Sequence, residues 1–262
     1  MPLTQNIIRA WRGLHSLAAG LAFPLGGWWL DSGASPSDYC RLDKGLAIVL
    51  PGIEGFGPLN CNIAYGLIDG GFPGAVVVHD WTTGIWPLFA YHLRAQKINR
   101  RRAEEIARLI LNYKREFPGR PVHLLGHSGG AAIAVWTLEA LPENQPVHSA
   151  VLLGAALSAS YPLSKALDQT KQGIWHFWSP LDLLFLAAGT VLFGTADGQH
   201  VIAAGCCGFK APQAKNDRQR LRQQCYHPRM LRQFHAGGHF GWANSVFVSE
   251  EIAPLFEMHS TN

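Results

Sequence analysis

Charge is scarce in this chain. Asp, Glu, Lys and Arg make up 15% of its 262 residues, and the basic clusters around 94–102 and 210–232 are broken by apolar or neutral residues. A disordered polyelectrolyte tail is thereby excluded. Nucleic acid is excluded as a partner, because no recognised binding module or aromatic-basic platform accompanies those clusters. Cysteine is equally sparse. Cys40, Cys61, Cys206, Cys207 and Cys225 are an odd five in a long chain, which excludes a small scaffold that depends on disulfides to fold. One bridge from the Cys206-Cys207 pair to Cys225 remains open in an oxidising compartment. A zinc site from those three and His227 would need unusual ligand spacings, so no metal or other cofactor is expected. No internal repeat and no low-complexity tract occurs, which removes solenoids and linkers as the main architecture.

Apolar residues, in contrast, are plentiful at 48%, enough for a large core. The length fits one α/β domain. The formal charge of +4 suits solvated helix faces, with an anionic membrane surface or an acidic ligand as the other reading.

At the N-terminus Ile7, Ile8, Trp11, Leu14, Ala18 and Leu21 recur at helical spacing opposite Asn6, Arg9, Arg12 and His15. The pattern predicts an amphipathic helix that packs on its own domain or lies in a membrane interface. Pro24, Gly26 and Gly27 interrupt the apolar stretch that follows, which leaves it marginal for a span of about 20 residues. An uncleaved anchor and a signal peptide cleaved near Ser32-Gly33-Ala34 are the competing readings, so cytoplasmic, membrane-associated and exported locations all stay open. Residues 31–38 read as a linker, which divides an N-terminal segment, 1–43, from a domain, 44–262.

Within that domain, apolar and helical patterns alternate as in a parallel sheet. Strands are expected at 46–50, 75–79, 122–125, 149–153, 174–178 and 231–235. Helices are expected at 62–68, 87–116, 131–136, 181–192, 210–222 and 247–256, with residues 183–230 forming an excursion.

The third of these strands carries the chemistry. Strand 122–125 runs into Gly126-His127-Ser128-Gly129-Gly130 and then into an apolar helix, a G-x-S-x-G between strand and helix. A serine hydroxyl reacts only when it is held out of the fold beside a base, with donors ready for the oxyanion. A sharp turn does this, at the cost of a strained backbone that only small neighbours tolerate, here Gly126 and Gly130. Asp182 follows the strand 174–178 on its exit loop, where a carboxylate can orient an imidazole; it could equally cap the next helix. Asp168 is the fallback. Among twelve histidines, His239 in the late loop Gly237-Gly238-His239-Phe240-Gly241 is the best-placed base, ahead of His235 and His227.

With Ser128, Asp182 and His239 in the order nucleophile, acid, histidine, the chain from about Lys44 to Phe256 resembles the α/β-hydrolase superfamily. The resemblance implies a mostly parallel central sheet with helices on both faces. It also implies an oxyanion hole from the N–H of Gly129 and one from the loop after the first strand. That loop usually carries His-Gly; here it is Pro51-Gly52-Ile53-Glu54-Gly55, which leaves the second donor between Ile53 and Glu54, with register after the glycine favouring Ile53. Glu54 reads as a loop-fixing hydrogen-bonder, since a carboxylate aimed at an oxyanion would oppose it. Trp81, Trp86, Phe240 and Trp242 are candidates to line an acyl pocket. The resulting expectation is a serine esterase, lipase-like, acting on carboxylic esters of lipid or other apolar acyl groups, with peripheral membrane contact through its N-terminal segment as a further expectation. Acyl transfer, thioesters or amides would use the same triad, and a non-catalytic membrane-associated interaction protein is the rival.

Overall fold

The computed structural model describes residues 3–22, 39–84 and 88–257. Six strands lie side by side: β1 (Leu46–Leu50), β2 (Ala75–Val78), β3 (Val122–His127), β4 (Ser149–Leu153), β5 (Ile174–Trp178) and β6 (Leu221–Cys225). Their order is β2-β1-β3-β4-β5-β6 and every pairing is parallel. The central strands β1, β3 and β4 are buried along their whole length, which is why their sequences run apolar without alternation. Alternate side chains still enter different layers. Leu46, Ile48 and Leu50 join the core beneath α4 (Gln96–Glu116) and α5 (Gly129–Ala140). Ala47 and Val49 join the opposite core, beneath α2 (Pro58–Asp69) and the C-terminal segments α10 (Ser245–Phe247) and α11 (Ala253–Glu257).

Four expectations need correction. The helix expected over 87–116 is two, α3 (Phe89–Arg94) and α4, parted at Ala95 with ψ 55°. Asn99 bridges the break by donating Nδ2–H to the His92 carbonyl at 2.6 Å. The charged helix expected over 210–222 shrinks to α9 (Lys215–Arg220), and the chain continues directly into β6. Of the β6 side chains only Leu221 is buried; pairing with β5 through the backbone makes this edge strand, so no apolar pattern announces it. The strand expected at 231–235 is instead a 3-10 turn, Pro228–Gln233. Pro228 opens it, His227 Nδ1 accepts from Arg229 N–H at 3.2 Å, and Phe234 closes it in the left-handed region. The closing helix is interrupted by a π-turn, Val248–Ile252.

The N-terminal helix α1 (Leu3–Ala22) departs most from expectation. It packs against α2, α10 and the turn His239–Ala243, but with its small face. Gly13, Ser16, Ala19 and Gly20 are buried, while Ile7, Ile8, Trp11 and Leu14 face outward. Close approach explains the inversion. A side chain at Gly13 would strike the Phe234 ring, and one at Gly20 would meet Phe240 at 3.1 Å. Asn244 donates to the Gly13 carbonyl, Ser16 Oγ bonds Ser245 Oγ, and Arg9 and Arg12 pair with Glu250 and Asp69. Among the described residues no helix is long and apolar enough to cross a membrane. The linker 31–38 and the cleavage signal at Ser32 lie outside the described residues.

Candidate active site

β3 ends at His127 and α5 starts at Gly129, so one residue makes the whole turn. Ser128 does this with φ 55° and ψ −118°, a conformation that costs a non-glycine residue on the order of 1–3 kcal/mol. Three backbone hydrogen bonds hold it there: Ser128 N–H donates to the Leu153 carbonyl at 2.9 Å, and its own carbonyl accepts from Ala131 and Ala156 at 3.1 Å. Small neighbours are obligatory. A β-carbon at Gly126 would collide with the Gly130 carbonyl, and one at Gly130 with the carbonyl oxygens of Leu50 and Pro51. Backbone cannot retreat as a side-chain tip can, so Gly130→Ala should lower stability by about 1–3 kcal/mol in urea unfolding.

Asp182 opens the π-turn Leu183–Gly189, which runs into α7 (Thr190–Phe193). Its two oxygens do different work. Oδ1 accepts from Leu186 N–H at 3.3 Å as a helix cap, and Oδ2 accepts from His239 Nδ1 at 2.5 Å. One carboxylate thus makes both contacts, to a helix N-terminus and to an imidazole. Because Nδ1 carries the proton toward Asp182, the other ring nitrogen of a neutral His239 has its lone pair free. The ring is enclosed by a stacked Phe185 at 4.9 Å and a tilted His127 at 4.9 Å. Burial disfavours the imidazolium, yet the Asp182 charge and hydrogen bond, with the Glu54 charge behind them, outweigh it and raise the His239 pKa above 6.5.

The loop after β1 is pinned at three successive residues. Trp81 Nε1–H donates to the Pro51 carbonyl at 2.7 Å. Gly52 N–H donates to the Glu54 carboxylate at 3.1 Å. His92 Nδ1–H donates to the Ile53 carbonyl at 2.9 Å, while its Nε2 faces the Thr83 hydroxyl at 2.7 Å. Ile53 N thereby lies 3.5 Å from where a side chain on Gly129 would begin, so the residues of the two expected donors are neighbours across the β3–α5 turn. His92 was missed in the sequence: its partner, a backbone carbonyl 39 residues away, leaves no local pattern.

Other candidates fall elsewhere. Asp168, at the end of α6 (Ser164–Asp168), is 64% exposed and sits 3.9 Å from Arg220. His235 is fully buried, edge-on to Trp242 at 4.0 Å, and burial depresses its pKa to about 3. His227 caps the 3-10 turn. Trp242 requires correction as a pocket residue: it is 0% exposed, packed against Phe177 and Phe247 in the core, because the turn His239–Ala243 rolls its indole inward. Trp81 is buried and supports the loop, its Cζ2 lying 3.4 Å from a notional Gly129 side chain. Phe240 stays part-exposed beside His239 and Phe185. Trp86 lies outside the described residues. Cys206 on α8 (Ala204–Cys207), Cys207 and Cys225 carry free thiols, and among the described residues no group of three His, Cys, Asp or Glu could hold a metal ion.

No protein-family model matches the sequence, and no curated protein matches it. Solved structures do. A dienelactone hydrolase-like promiscuous phosphotriesterase from metagenomic libraries aligns with TM-score 0.50 and 14% identity over 87% of this chain and 89% of its own. A poly(3-hydroxybutyrate) depolymerase from Bordetella parapertussis aligns with TM-score 0.48 and 14% identity over 88% and 84%. A Trichoderma reesei cutinase aligns with TM-score 0.41 and 12% identity over 98% and 92%. Six parallel strands, helices on both faces and the turn at Ser128 give this chain the α/β-hydrolase fold.

Proposed function

We propose that this chain is a serine hydrolase of carboxylic esters. The observation that carries the reading is the 2.5 Å contact from Asp182 to His239 Nδ1, in a fold that also holds Ser128 in a strained turn between β3 and α5. In this reading Ser128 Oγ attacks the acyl carbonyl as His239 Nε2 takes its proton. The N–H groups of Ile53 and Gly129 receive the oxyanion, and the imidazolium, stabilised by Asp182, returns the proton to the leaving alcohol. Water then repeats the sequence on the acyl-enzyme. Ser128 is 6% exposed and His239 7%, so the reaction would proceed largely out of bulk solvent, where aligned dipoles act most strongly. Phe185 and Phe240 beside the base favour an apolar ester over a charged one.

Turnover of p-nitrophenyl esters of rising chain length, set against a thioester and an anilide, tests the substrate class. Esters should be cleaved fastest; a preference for the thioester or anilide, or transfer to an added alcohol in place of water, would replace ester hydrolysis with the matching activity on the same residues.

The electrostatics add a second expectation. His239 must be neutral to accept the proton, and its pKa is raised above 6.5. Hence kcat/KM should climb with pH through a midpoint above 6.5. Glu54→Gln keeps an oxygen for Gly52 N–H but removes one charge that favours the imidazolium, so the midpoint should move to lower pH. An unmoved midpoint would show that the Glu54 carboxylate does not act on the base.

A further inference from the structure

Two elements with apolar outer faces border one groove. From α1, Ile7, Trp11 and Leu14 face solvent at 61%, 69% and 56% exposure; from residues 183–193, Leu184 and Leu192 do so at 71% and 69%. Between them runs a cavity of about 270 Å³, lined by Leu17 and Gly20 of α1 and by Leu181 and Leu184 opposite, and reaching Asp182 and His239. Residues 183–193 contain no charged side chain. Ordinary solvent-facing helices carry their charges outward; here α1 turns its small residues inward and its large apolar ones out.

We propose that this face docks on a lipid surface, with the outer side chains of α1 and of α7 entering the boundary between head groups and acyl chains. Side chains two-thirds exposed stand clear of the surface as two ridges with a groove between. A fluid acyl layer conforms to such ridges, whereas a second copy of the chain would have to offer matching hollows. Trp11 sits on α1 where an indole favours the head-group boundary, and the helix is too polar to span. The charge nearby fits an anionic bilayer. His15 flanks the α1 stripe, Arg12 beside it being paired with Asp69, and Arg229 and Arg232 border the exposed Leu231 next to Arg9, with no ion pair to either of those two among the described residues. Glu250 and Glu251 share that cavity, but Glu250 pairs with Arg9 and Glu251 accepts from Gln233, which leaves the arginines to act outward. Docked in this way, the chain would present the groove that reaches His239 to the lipid phase.

The test uses the full chain carrying Ser128→Ala, so binding is read without turnover and stands apart from the ester-hydrolase reading. Sedimentation with vesicles of phosphatidylcholine, alone or mixed with phosphatidylglycerol, should carry the protein down, more strongly with the anionic lipid. Trp11→Asp and Leu192→Asp should each weaken partition roughly tenfold or more, since each removes an apolar anchor and adds a charge. In the Ser128 background the same substitutions should leave hydrolysis of a short soluble ester and the circular dichroism unchanged, both sites being solvent-facing; Leu192→Ser gives a milder second reading. Failure to sediment with either vesicle, or variants that partition like the parent, overturns the proposal. So does a concentration-dependent dimer without lipid that these substitutions disperse, which would assign the face to a second copy.

Discussion

Ser128→Ala should abolish covalent labelling by a fluorophosphonate probe and reduce ester turnover by about 10⁶-fold, the scale seen when a serine hydrolase loses its nucleophile. The fold should survive. Among the described residues Ser128 holds its place through backbone hydrogen bonds alone, and alanine at φ 55° carries the same strain as serine. Melting temperature and circular dichroism should therefore match the parent, which separates lost chemistry from lost structure. Folded parent protein that does not label would point to a non-catalytic interaction protein. Labelling that persists in the variant would move the nucleophile elsewhere.

Asp182→Asn should lower kcat/KM by about 10⁴-fold while leaving the fold in place. The amide oxygen can still cap Leu186 N–H, as Asp182 Oδ1 does at 3.3 Å. Its NH₂, however, would meet His239 Nδ1 where a carboxylate now accepts, and so favour the tautomer with the proton on the nitrogen needed as base. A second readout distinguishes this from general damage. With the Asp182 charge and hydrogen bond gone, burial prevails over the remaining Glu54 charge, so the His239 midpoint should drop below that of the parent in the kcat/KM profile. An unchanged rate would exclude Asp182, and Asp168 would inherit the role despite its exposure and its Arg220 neighbour.

The elbow was legible because its determinants are local. A strand, a helix and two glycines within a few residues fix the position of Ser128, and steric exclusion at Gly126 and Gly130 acts through adjacent backbone. Asp182 was legible as a candidate because it follows the clear strand 174–178, and His239 because a late glycine-rich loop carries it, although the strand expected before that loop is a 3-10 turn; only the fold brings the two to 2.5 Å across 57 residues. The Ile53 loop shows the opposite case. Pro51-Gly52-Ile53-Glu54 lacks the usual histidine, and what holds it is a set of long-range donors, Trp81 and His92, with the nearby Glu54 carboxylate.

Sequence by itself determined the class of fold, the order of its central strands along the chain and the residue types at the site, since apolar periodicity and turn stereochemistry are properties of neighbouring residues. Tertiary structure alone decided that β6 is an edge strand, that Trp242 is core and that α1 packs by its small face. Each of these depends on what lies opposite in space: the backbone of β5, the rings of Phe177 and Phe247, the rings of Phe234 and Phe240. A periodic pattern shows that a helix has an apolar side, but only the neighbours' shape decides which side the core accepts.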